Sequence, residues 1–258
     1  MKINYPVLIG CLLVANLAIA QRRVIYEIQE KDNSGPVILA NFNYGFHWPG
    51  GDLADRFGFN YSVGGSLDLL EKHNFIIGAE SFLYFGNNVN IDVLAPLRNN
   101  DGIILGDLGG LSEVQLRMRA LHIGGHIGKI FRLYKNAPSH SGLRATLGGS
   151  YFQHKIKIQD DPVVIISALS DEYKKGYDRL STGFALTEFI GYQHLSKNRL
   201  INFMLGVEFT QAFTQNRRSY NFDTRTTENG NRIDLLSGFR IGWTLPFYIR
   251  QNADELNY

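Results

Sequence analysis

Two histidine arrangements in the sequence could support chemistry. His194 and Ser196 form a His-x-Ser pair, and a histidine beside a serine can activate the hydroxyl as a nucleophile for hydrolysis. His122 and His126 are four residues apart, a spacing at which two imidazoles bind one metal ion when both lie on a helix. Each chemistry therefore depends on the secondary structure that carries these residues and on the direction in which they project.

The segments around these residues alternate with period two. From Ile233 to Phe247, apolar side chains fall on one face, and the opposite face carries charges and glycines. The same alternation recurs in seven earlier segments, which are 37–48, 57–70, 75–85, 116–131, 142–152, 181–192 and 200–213. No long segment has a helical period, so the sequence predicts eight β-strands of a length that can cross an outer membrane.

This prediction changes the interpretation of the paired histidines. Residues four apart on a strand lie on one face but about 13 Å apart, because each residue advances the chain by about 3.3 Å. His122 and His126 are then too far apart to share a metal ion, and Gly124 and Gly125 between them argue against a helix. We expect both imidazoles to face inward and to be hydrogen-bonded, and we expect no metal ion and no other cofactor.

Two of the eight segments alternate less cleanly. The apolar phase of segment 116–131 changes near Ala120, which predicts either a β-bulge or an extension beyond the apolar band. In segment 181–192, Glu188 shares a face with apolar residues, among them Phe184 and Ile190. That strand has the weakest pattern of the eight.

The connections alternate between short and long. The short ones are 71–74, 134–140 and 194–198, and the long polar ones are 49–56, 86–112, 159–178 and 214–231. Transmembrane barrels combine short periplasmic turns with long extracellular loops in this way, whereas a soluble sandwich has no reason to do so. The pattern predicts that both chain termini lie in the periplasm.

The polar faces of the strands carry charges of both signs. They are Asp68, Glu80, Arg144, Glu208, Asp234 and Arg240. In lipid, aromatic residues face outward and charges face inward, and buried charges must be paired. We therefore predict an all-β fold: a closed, eight-stranded antiparallel transmembrane β-barrel with a filled polar interior, a structural polar network and long extracellular loops.

The N-terminus resembles a secretory signal peptide. Lys2 is followed by an apolar run that ends in the small-x-small sequence Ala18-Ile19-Ala20, which predicts cleavage before Gln21. A lipobox-like stretch ending at Cys11 leaves lipidation of that cysteine as an alternative. The predicted organisation is a signal peptide (1–20), a periplasmic segment (21–36), the barrel (37–250) and a periplasmic tail (251–258).

Composition narrows the function further. The single cysteine lies in the signal, so the mature chain has no disulfide and no cysteine-based site. The net charge of +2 gives no indication of nucleic-acid binding. The 27 glycines, 13 tyrosines and 17 phenylalanines suit a β-rich chain with close backbone contacts. We expect the protein in the outer membrane of a Gram-negative cell, in contact with its lipids, including lipopolysaccharide.

The last strand ends in a short pattern of polar, glycine and apolar residues. Arg240, Gly242, Leu245 and Phe247 form the sequence polar-x-Gly-x-x-apolar-x-apolar, which resembles the β-signal of outer-membrane barrels. The tail from Arg250 to Tyr258 departs from the usual pattern, in which this strand ends the chain. The assembly machinery is thus a predicted partner.

Several stretches resemble a family of small outer-membrane β-barrels of Bacteroidota. They are WPGGDLADRFG, YDRLSTGFALTEFIGYQHLSKNRLINF, EFTQAFTQNRRSYNFDT and RIDLLSGFRIGWTLPFY, and the resemblance covers essentially the whole mature chain. The resemblance implies a non-enzymatic barrel. Other small Bacteroidota barrels are subunits of outer-membrane assembly or type IX secretion complexes, so the implied class is a structural or accessory subunit with protein partners.

Three functions remain open at this point: a complex subunit, a porin-like conduit for small molecules, and a lipid-modifying enzyme. The His-x-Ser pair is similar to that of barrel lipid A deacylases, but those enzymes need a third, acidic residue and a site at outer-leaflet depth, and here the pair falls in a short periplasmic turn. The best candidate for partner binding is the loop that carries Arg217, Arg218, Tyr220 and Phe222, residue types enriched at binding hot spots. The same loop could instead pack on its own barrel rim.

Overall fold

The computed structural model describes residues 35–134 and 140–249. The predicted signal peptide and the predicted C-terminal tail lie outside these residues, as does all but the end of the predicted segment 21–36. The first strand of the barrel begins at Val37, and the last strand ends at Tyr248.

Eight long antiparallel strands close into a barrel. They are β1 (Val37–Gly51), β2 (Asn60–Leu70), β3 (Phe75–Gly86), β4 (Gln115–Phe131), β5 (Gly142–Gln159), β6 (Ser181–Leu195), β7 (Asn202–Asn216) and β8 (Asn231–Tyr248). Each strand pairs with its neighbours in sequence, and β8 pairs with β1 from Val37↔Tyr248 to Gly51↔Asp234. The predicted closed, eight-stranded antiparallel barrel is confirmed.

The connections keep the predicted alternation of length. Short turns join β2 to β3, β4 to β5, and β6 to β7, and the start of β1 and the end of β8 lie at this same end of the barrel. The long connections form a cap at the other end. The cap contains helix α1 (Asp52–Arg56), the 3-10 helices Ala95–Leu97, Ser167–Leu169 and Tyr173–Gly176, and a hairpin of Ile104–Leu105 with Leu111–Ser112.

Helices contribute little to the described part of the chain. None of those in residues 35–134 and 140–249 is both long and apolar enough to span a membrane.

The barrel carries its large apolar side chains on the outside. On β1, Ile38, Phe42, Tyr44, Phe46 and Trp48 are between 37% and 58% exposed, while the alternate residues, which point inward, are buried. From Ile38 to Trp48 the strand advances about 34 Å, which a tilt of about 40° reduces to about 26 Å of height. This matches the apolar band of transmembrane barrels, about 25 Å tall.

The change of apolar phase near Ala120 is an extension and not a bulge. β4 pairs with β5 without interruption from Gln115↔Gln159 to Phe131↔Leu143. At the long-loop end of β4, Met118 and Ala120 face inward and are buried beneath the cap. The inner face of β4 is therefore apolar under the cap and polar deeper in the barrel.

Apolar clusters close both ends of the interior. The larger cluster joins the cap to the strands beneath it and includes Leu53, Phe57, Phe82, Phe152 and Leu169. The smaller one lies at the short-turn end and is formed by Val37, Leu39, Leu70, Ile76, Ile130 and Leu195. The polar interior residues lie between these two clusters, so they are shielded from water on both sides.

Candidate functional site

The interior charges near the short-turn end form a buried ion pair. Arg144 donates to Asp68 at 2.6 Å, and both side chains are at most 2% exposed. Asn41 donates to the same carboxylate at 2.8 Å, and Arg144 also donates to Gln193 at 3.2 Å. Additional hydrogen bonds of this kind offset the cost of burying a pair of charges, although Nε of Arg144 has no hydrogen-bond partner among the described residues.

A second group of charges lies at the middle of the barrel. Arg240 is placed between two carboxylates, at 3.2 Å from Glu80 and in direct contact with Glu208. The guanidinium also lies over the ring of Phe82, at 4.2 Å from its centroid. One cation thus compensates two buried anions from strands on opposite sides of the barrel.

His126 connects the first two groups. Its Nε2 lies 3.0 Å from Asp68 and its Nδ1 lies 3.5 Å from Glu80. His122 faces inward as well, 3.5 Å from Glu80. In the part of the chain that the structure describes, no group of three or more histidine, cysteine, aspartate or glutamate side chains is arranged to hold a metal ion.

The glycine at position 78 makes room for this connection. A Cβ atom at Gly78 would collide with the carboxylate of Asp68 and would come within 2.9 Å of His126 Nε2. The polar network therefore depends on glycine at position 78, which has no side chain, as well as on the charged residues.

A third group lies under the cap. The carboxylate of Asp234 is 2.9 Å from His154 Nε2 and accepts a hydrogen bond from Thr214. His154 is completely buried, and sequence analysis missed it because the predicted strand ended at residue 152. The continuing inward alternation of Phe152, His154 and Ile156 was the signal that could have shown it.

The structure thus places all six predicted interior residues inside the barrel. It divides them into three groups, which are Asp68 with Arg144, Arg240 with Glu80 and Glu208, and Asp234 with His154. Paired charges cross the lumen at each level, and apolar clusters close it above and below. This arrangement fills the barrel with side chains instead of lining a channel.

The cap is held by a further set of ion pairs that the sequence did not indicate. Glu228 accepts from Arg56 at 2.7 Å, from Arg179 at 3.0 Å and from Arg232 at 3.3 Å. Burial alone would raise the pKa of Glu228, but the three guanidiniums outweigh it and hold that pKa below its usual value. Arg232 is only four residues from Glu228, but Arg56 and Arg179 come from two other connections, so no local sequence pattern joins the set.

The predicted partner-binding loop makes many contacts within the protein. Arg218 forms two hydrogen bonds with Asp178, at 2.8 and 2.6 Å, which raise the pKa of the arginine above its ordinary value. Phe222 packs against Tyr177, with ring centroids 5.3 Å apart. Tyr220 is 43% exposed. These contacts favour the alternative in which the loop packs on its own rim, while docking of a partner on this loop stays a prediction.

Arg217 differs from the rest of that loop. It is exposed, lies on the outer surface of the barrel at the long-loop end, and donates to the hydroxyl of Thr182 at 2.6 Å. Beneath it, an open groove of about 520 Å³ runs between Ile123, Tyr151 and Phe184 on the outer surface. Arg217 therefore lies at the upper end of an apolar groove.

The His-x-Ser pair is not assembled as a nucleophilic site. His194 lies between the rings of Tyr192 and Phe203, with centroids 6.5 and 5.2 Å away. The hydroxyl of Ser196 donates to Asn198 at 2.7 Å within the short turn. The two side chains thus have separate partners, as expected for a structural turn.

Glu188 is the most unusual residue on the outer surface. It is exposed near the middle of β6, directly opposite Leu147 on β5 and Phe209 on β7. Along its own strand, Leu186 and Ile190 flank it on the same face and are 40% and 49% exposed. No ion pair joins Glu188 to another residue in the described part of the chain.

The residues of the predicted assembly signal lie on β8, the strand that closes the barrel. Arg240 and Gly242 face the interior, and Leu245 and Phe247 face outward. Phe247 is 56% exposed and pairs with Ile38 of β1. The signal's role in assembly stays a prediction.

These features define a class of protein. A closed antiparallel barrel that carries an apolar belt outside and paired charges inside has the organisation of a transmembrane β-barrel. Its interior is blocked, and its long-loop end is covered by an ordered cap.

Comparison with known proteins gives structural neighbours only. No protein-family model matches the chain, and no curated protein matches it. The chain is similar to Ail, the attachment invasion locus protein of Yersinia pestis, at 8% identity and a TM-score of 0.39, over 83% of this chain and 99% of that one. It is also similar to Neisserial surface protein A (10%, TM-score 0.37, 79% and 96%) and to OprG of Pseudomonas aeruginosa (11%, TM-score 0.36, 83% and 97%). These values are too low to transfer a function, and the strand pairing of the chain itself defines the barrel.

Proposed function

We propose that the protein is a non-enzymatic outer-membrane β-barrel that serves as a structural or accessory subunit of an outer-membrane assembly or secretion complex. The apolar belt, about 26 Å tall, supports insertion into a membrane. The N-terminal sequence supports export, and the long-loop end then faces the cell exterior while both termini face the periplasm.

The observation that carries the subunit proposal is Glu188. A carboxylate exposed at the middle of a lipid-facing surface is costly, and charged residues within a membrane usually mark a functional contact. In a complex, a cation or hydrogen-bond donor of a neighbouring membrane protein would compensate this carboxylate. The surrounding Leu147, Leu186, Ile190 and Phe209 would supply the apolar part of the same interface.

The cap offers a second contact surface. Leu108, Val163 and Ile165 are 93%, 85% and 67% exposed, and the hairpin and the segment around residue 165 are joined by a hydrogen bond from Asp107 to Ile165. Exposed apolar side chains grouped in this way mark interaction surfaces in soluble regions of proteins. The cap therefore suits contact with a partner outside the membrane.

Replacement of Glu188 by leucine tests the proposal with two opposed readouts. The isolated barrel should become more stable by about 1–2 kcal/mol, because a carboxylate on the lipid face of a barrel costs somewhat less than an arginine or lysine there. The same variant should lose the partner proteins that co-purify with the wild type in mild detergent. Leu67→Ile, on β2 at the opposite side of the barrel, is the matched control and should change neither readout.

A photo-crosslinking residue at position 186 should capture the partner within the membrane, and one at position 67 should not. Retention of every co-purifying protein by the Glu188→Leu variant would contradict the proposed interface.

Single-channel recording tests the porin-like alternative, because the filled interior predicts no ion conductance through the purified barrel. A steady open conductance would favour the conduit instead.

A further inference from the structure

β4 and β5 project beyond the rest of the barrel wall. The last pair of β4 with β3 is Gly86↔Met118, and the last pair of β5 with β6 is His154↔Ser181. Beyond these points, β4 and β5 form strand pairs with each other up to Gln115↔Gln159, and the backbone N–H of Ile156 donates to the carbonyl oxygen of Asp178 at 2.7 Å. The projecting part is a two-stranded ribbon at the long-loop end.

The two faces of this ribbon differ sharply. Its inner face carries Met118, Ile156 and Ile158, which are buried under the cap. The outward-pointing residues are all cationic or amide side chains in the last three cross-strand pairs. These pairs are Arg119↔Lys155, Arg117↔Lys157 and Gln115↔Gln159. We call Arg117, Arg119, Lys155 and Lys157 the basic ladder.

Like charges directly opposite each other on neighbouring strands destabilise a sheet. Nothing in the described part of the chain relieves this repulsion with an ion pair, because the nearby Asp160 is paired with Lys174 at 2.7 Å. The observed partners are neutral. Arg117 donates to Gln115 at 2.7 Å, and Arg119 donates to the carbonyl oxygen of Met118 at 2.7 Å. Lys155 and Lys157 also line a pocket that contains Asp160, Asp171 and Asp178, but these carboxylates pair with Lys174 and Arg218. The four positive charges of the ladder thus share a small surface without an ion pair among the described residues.

The height of the basic ladder above the apolar belt identifies its surroundings. Leu121 and Ile123 continue the outward face of β4 below Arg119 and belong to the belt. With about 3.4 Å per residue and a tilt of about 40°, Arg119 lies about 5 Å above Leu121 and Arg117 about 10 Å above it. The polar headgroup layer extends about 5–8 Å beyond the hydrocarbon on each side, so Arg119 lies within it and Arg117 lies at its outer edge.

An apolar groove lies beside and below the ladder. It is the groove between Ile123, Tyr151 and Phe184, with Arg217 at its upper end. Arg217 bonds to Thr182, and Thr182 pairs with Gln153, two residues from Lys155. An amphiphile with phosphate groups above and acyl chains below matches this arrangement of charge and apolar surface.

We propose that the basic ladder binds the phosphate groups of a lipid A headgroup in the outer leaflet, with an acyl chain in the groove below. This site rests on the proposed outer-membrane location, with the long loops outside. It is separate from Glu188, which faces the middle of the membrane. The bound phosphates supply the counter-charge that the ribbon lacks.

The test uses the purified full-length mature chain in detergent and measures binding of bisphosphorylated lipid A. Arg119→Gln combined with Lys155→Gln should weaken binding by about thirtyfold, because each cation near a lipid phosphate contributes on the order of 1 kcal/mol. Lys72→Gln combined with Lys129→Gln removes two cations at the short-turn end and should leave binding unchanged. Since the ladder repels itself, the first variant should retain the heat-modifiable mobility of a folded barrel.

Two further ligands test which chemical groups of lipid A the site recognises. Lipid A from which both phosphates have been removed should bind weakly and equally to all three proteins, and phosphatidylglycerol should not compete for the site. Equal binding of bisphosphorylated lipid A to the wild type and to the Arg119/Lys155 variant would overturn the proposal, as would equal competition by phosphatidylglycerol. Because this assay contains no protein partner, its result is independent of the Glu188 experiment.

Discussion

The middle interior group allows a quantitative test of how the barrel is held together. Arg240 is the only cation that an ion pair joins to Glu208 in the described residues, and it also pairs with Glu80. Arg240→Met keeps a long side chain that can still pack against Phe82 but removes the charge. Two carboxylates would then lie in the closed interior, with only the imidazoles near Glu80 to compensate them.

Breaking a buried ion pair by removing one partner typically costs about 3–5 kcal/mol, because the remaining charge is desolvated without compensation. We expect Arg240→Met to lower the free energy of unfolding by this amount. Adding Glu80→Gln and Glu208→Gln to the same chain should recover part of the loss, since no buried charge then lacks a partner. Arg98→Met, which breaks a loop ion pair with Asp92, should cost at most about 1 kcal/mol.

Urea-induced unfolding in lipid vesicles measures these differences. Trp48 and Trp243 are 50% and 57% exposed on the lipid-facing surface, so their fluorescence reports transfer from lipid to water. A change below about 1 kcal/mol in the Arg240→Met variant would refute the reasoning, because it would mean that water or a conformational change compensates the two carboxylates. A triple variant no more stable than Arg240→Met would refute it as well.

Three other predictions concern orientation, assembly and acid sensitivity. A cysteine at Leu108 should react with a membrane-impermeant reagent on whole cells, and one at His73 should not; the opposite result would reverse the orientation. Replacing Gly242 and Phe247 with alanine together should leave export across the inner membrane intact but reduce the amount of heat-modifiable barrel, and normal assembly would argue against a β-signal. The pKa of Glu228 is lowered, so its contribution to the cap is present at neutral pH and is lost as the pH falls through that lowered value. Proteolysis of the cap should therefore increase in acid, and a cap equally resistant at both pH values would contradict this role.

The barrel was predictable because its determinants are local and repeated. Each strand alternates between lipid and interior, so a short segment such as Ile38 to Trp48 shows both its conformation and its two faces. Hairpin connectivity then gives the order of strands with little further information. The alternation of short and long loops then indicates which strand ends lie at the same end of the barrel. β4 was predicted to within one residue, but β5 runs seven residues beyond its predicted end at residue 152. Beyond the belt its inward face becomes apolar, so the phase of the pattern inverts there.

The cap was not predictable in the same way. Glu228 meets Arg56 and Arg179 across long stretches of sequence, and irregular connections carry no period that would place them together. For the same reason, the sequence marked Arg218 and Phe222 as candidates for a partner without showing Asp178 and Tyr177, which they contact. The sequence shows which residue types the loop contains. Only the structure shows which of them already contact other residues of the chain.

Charged residues that have an oppositely charged partner within the chain and charged residues that have none lie in different parts of this barrel. Buried charges such as Arg144 in the interior and half-buried ones such as Glu228 in the cap have partners within the chain. On the outward surface of the described residues, Glu188 within the belt and the basic ladder at its upper edge have no ion pair. Neither helps the isolated chain to fold, since one exposes a carboxylate to hydrocarbon and the other places like charges opposite each other. Because the two places differ in sign and in depth, one ligand cannot satisfy both, and the two proposals therefore require two separate partners in the membrane.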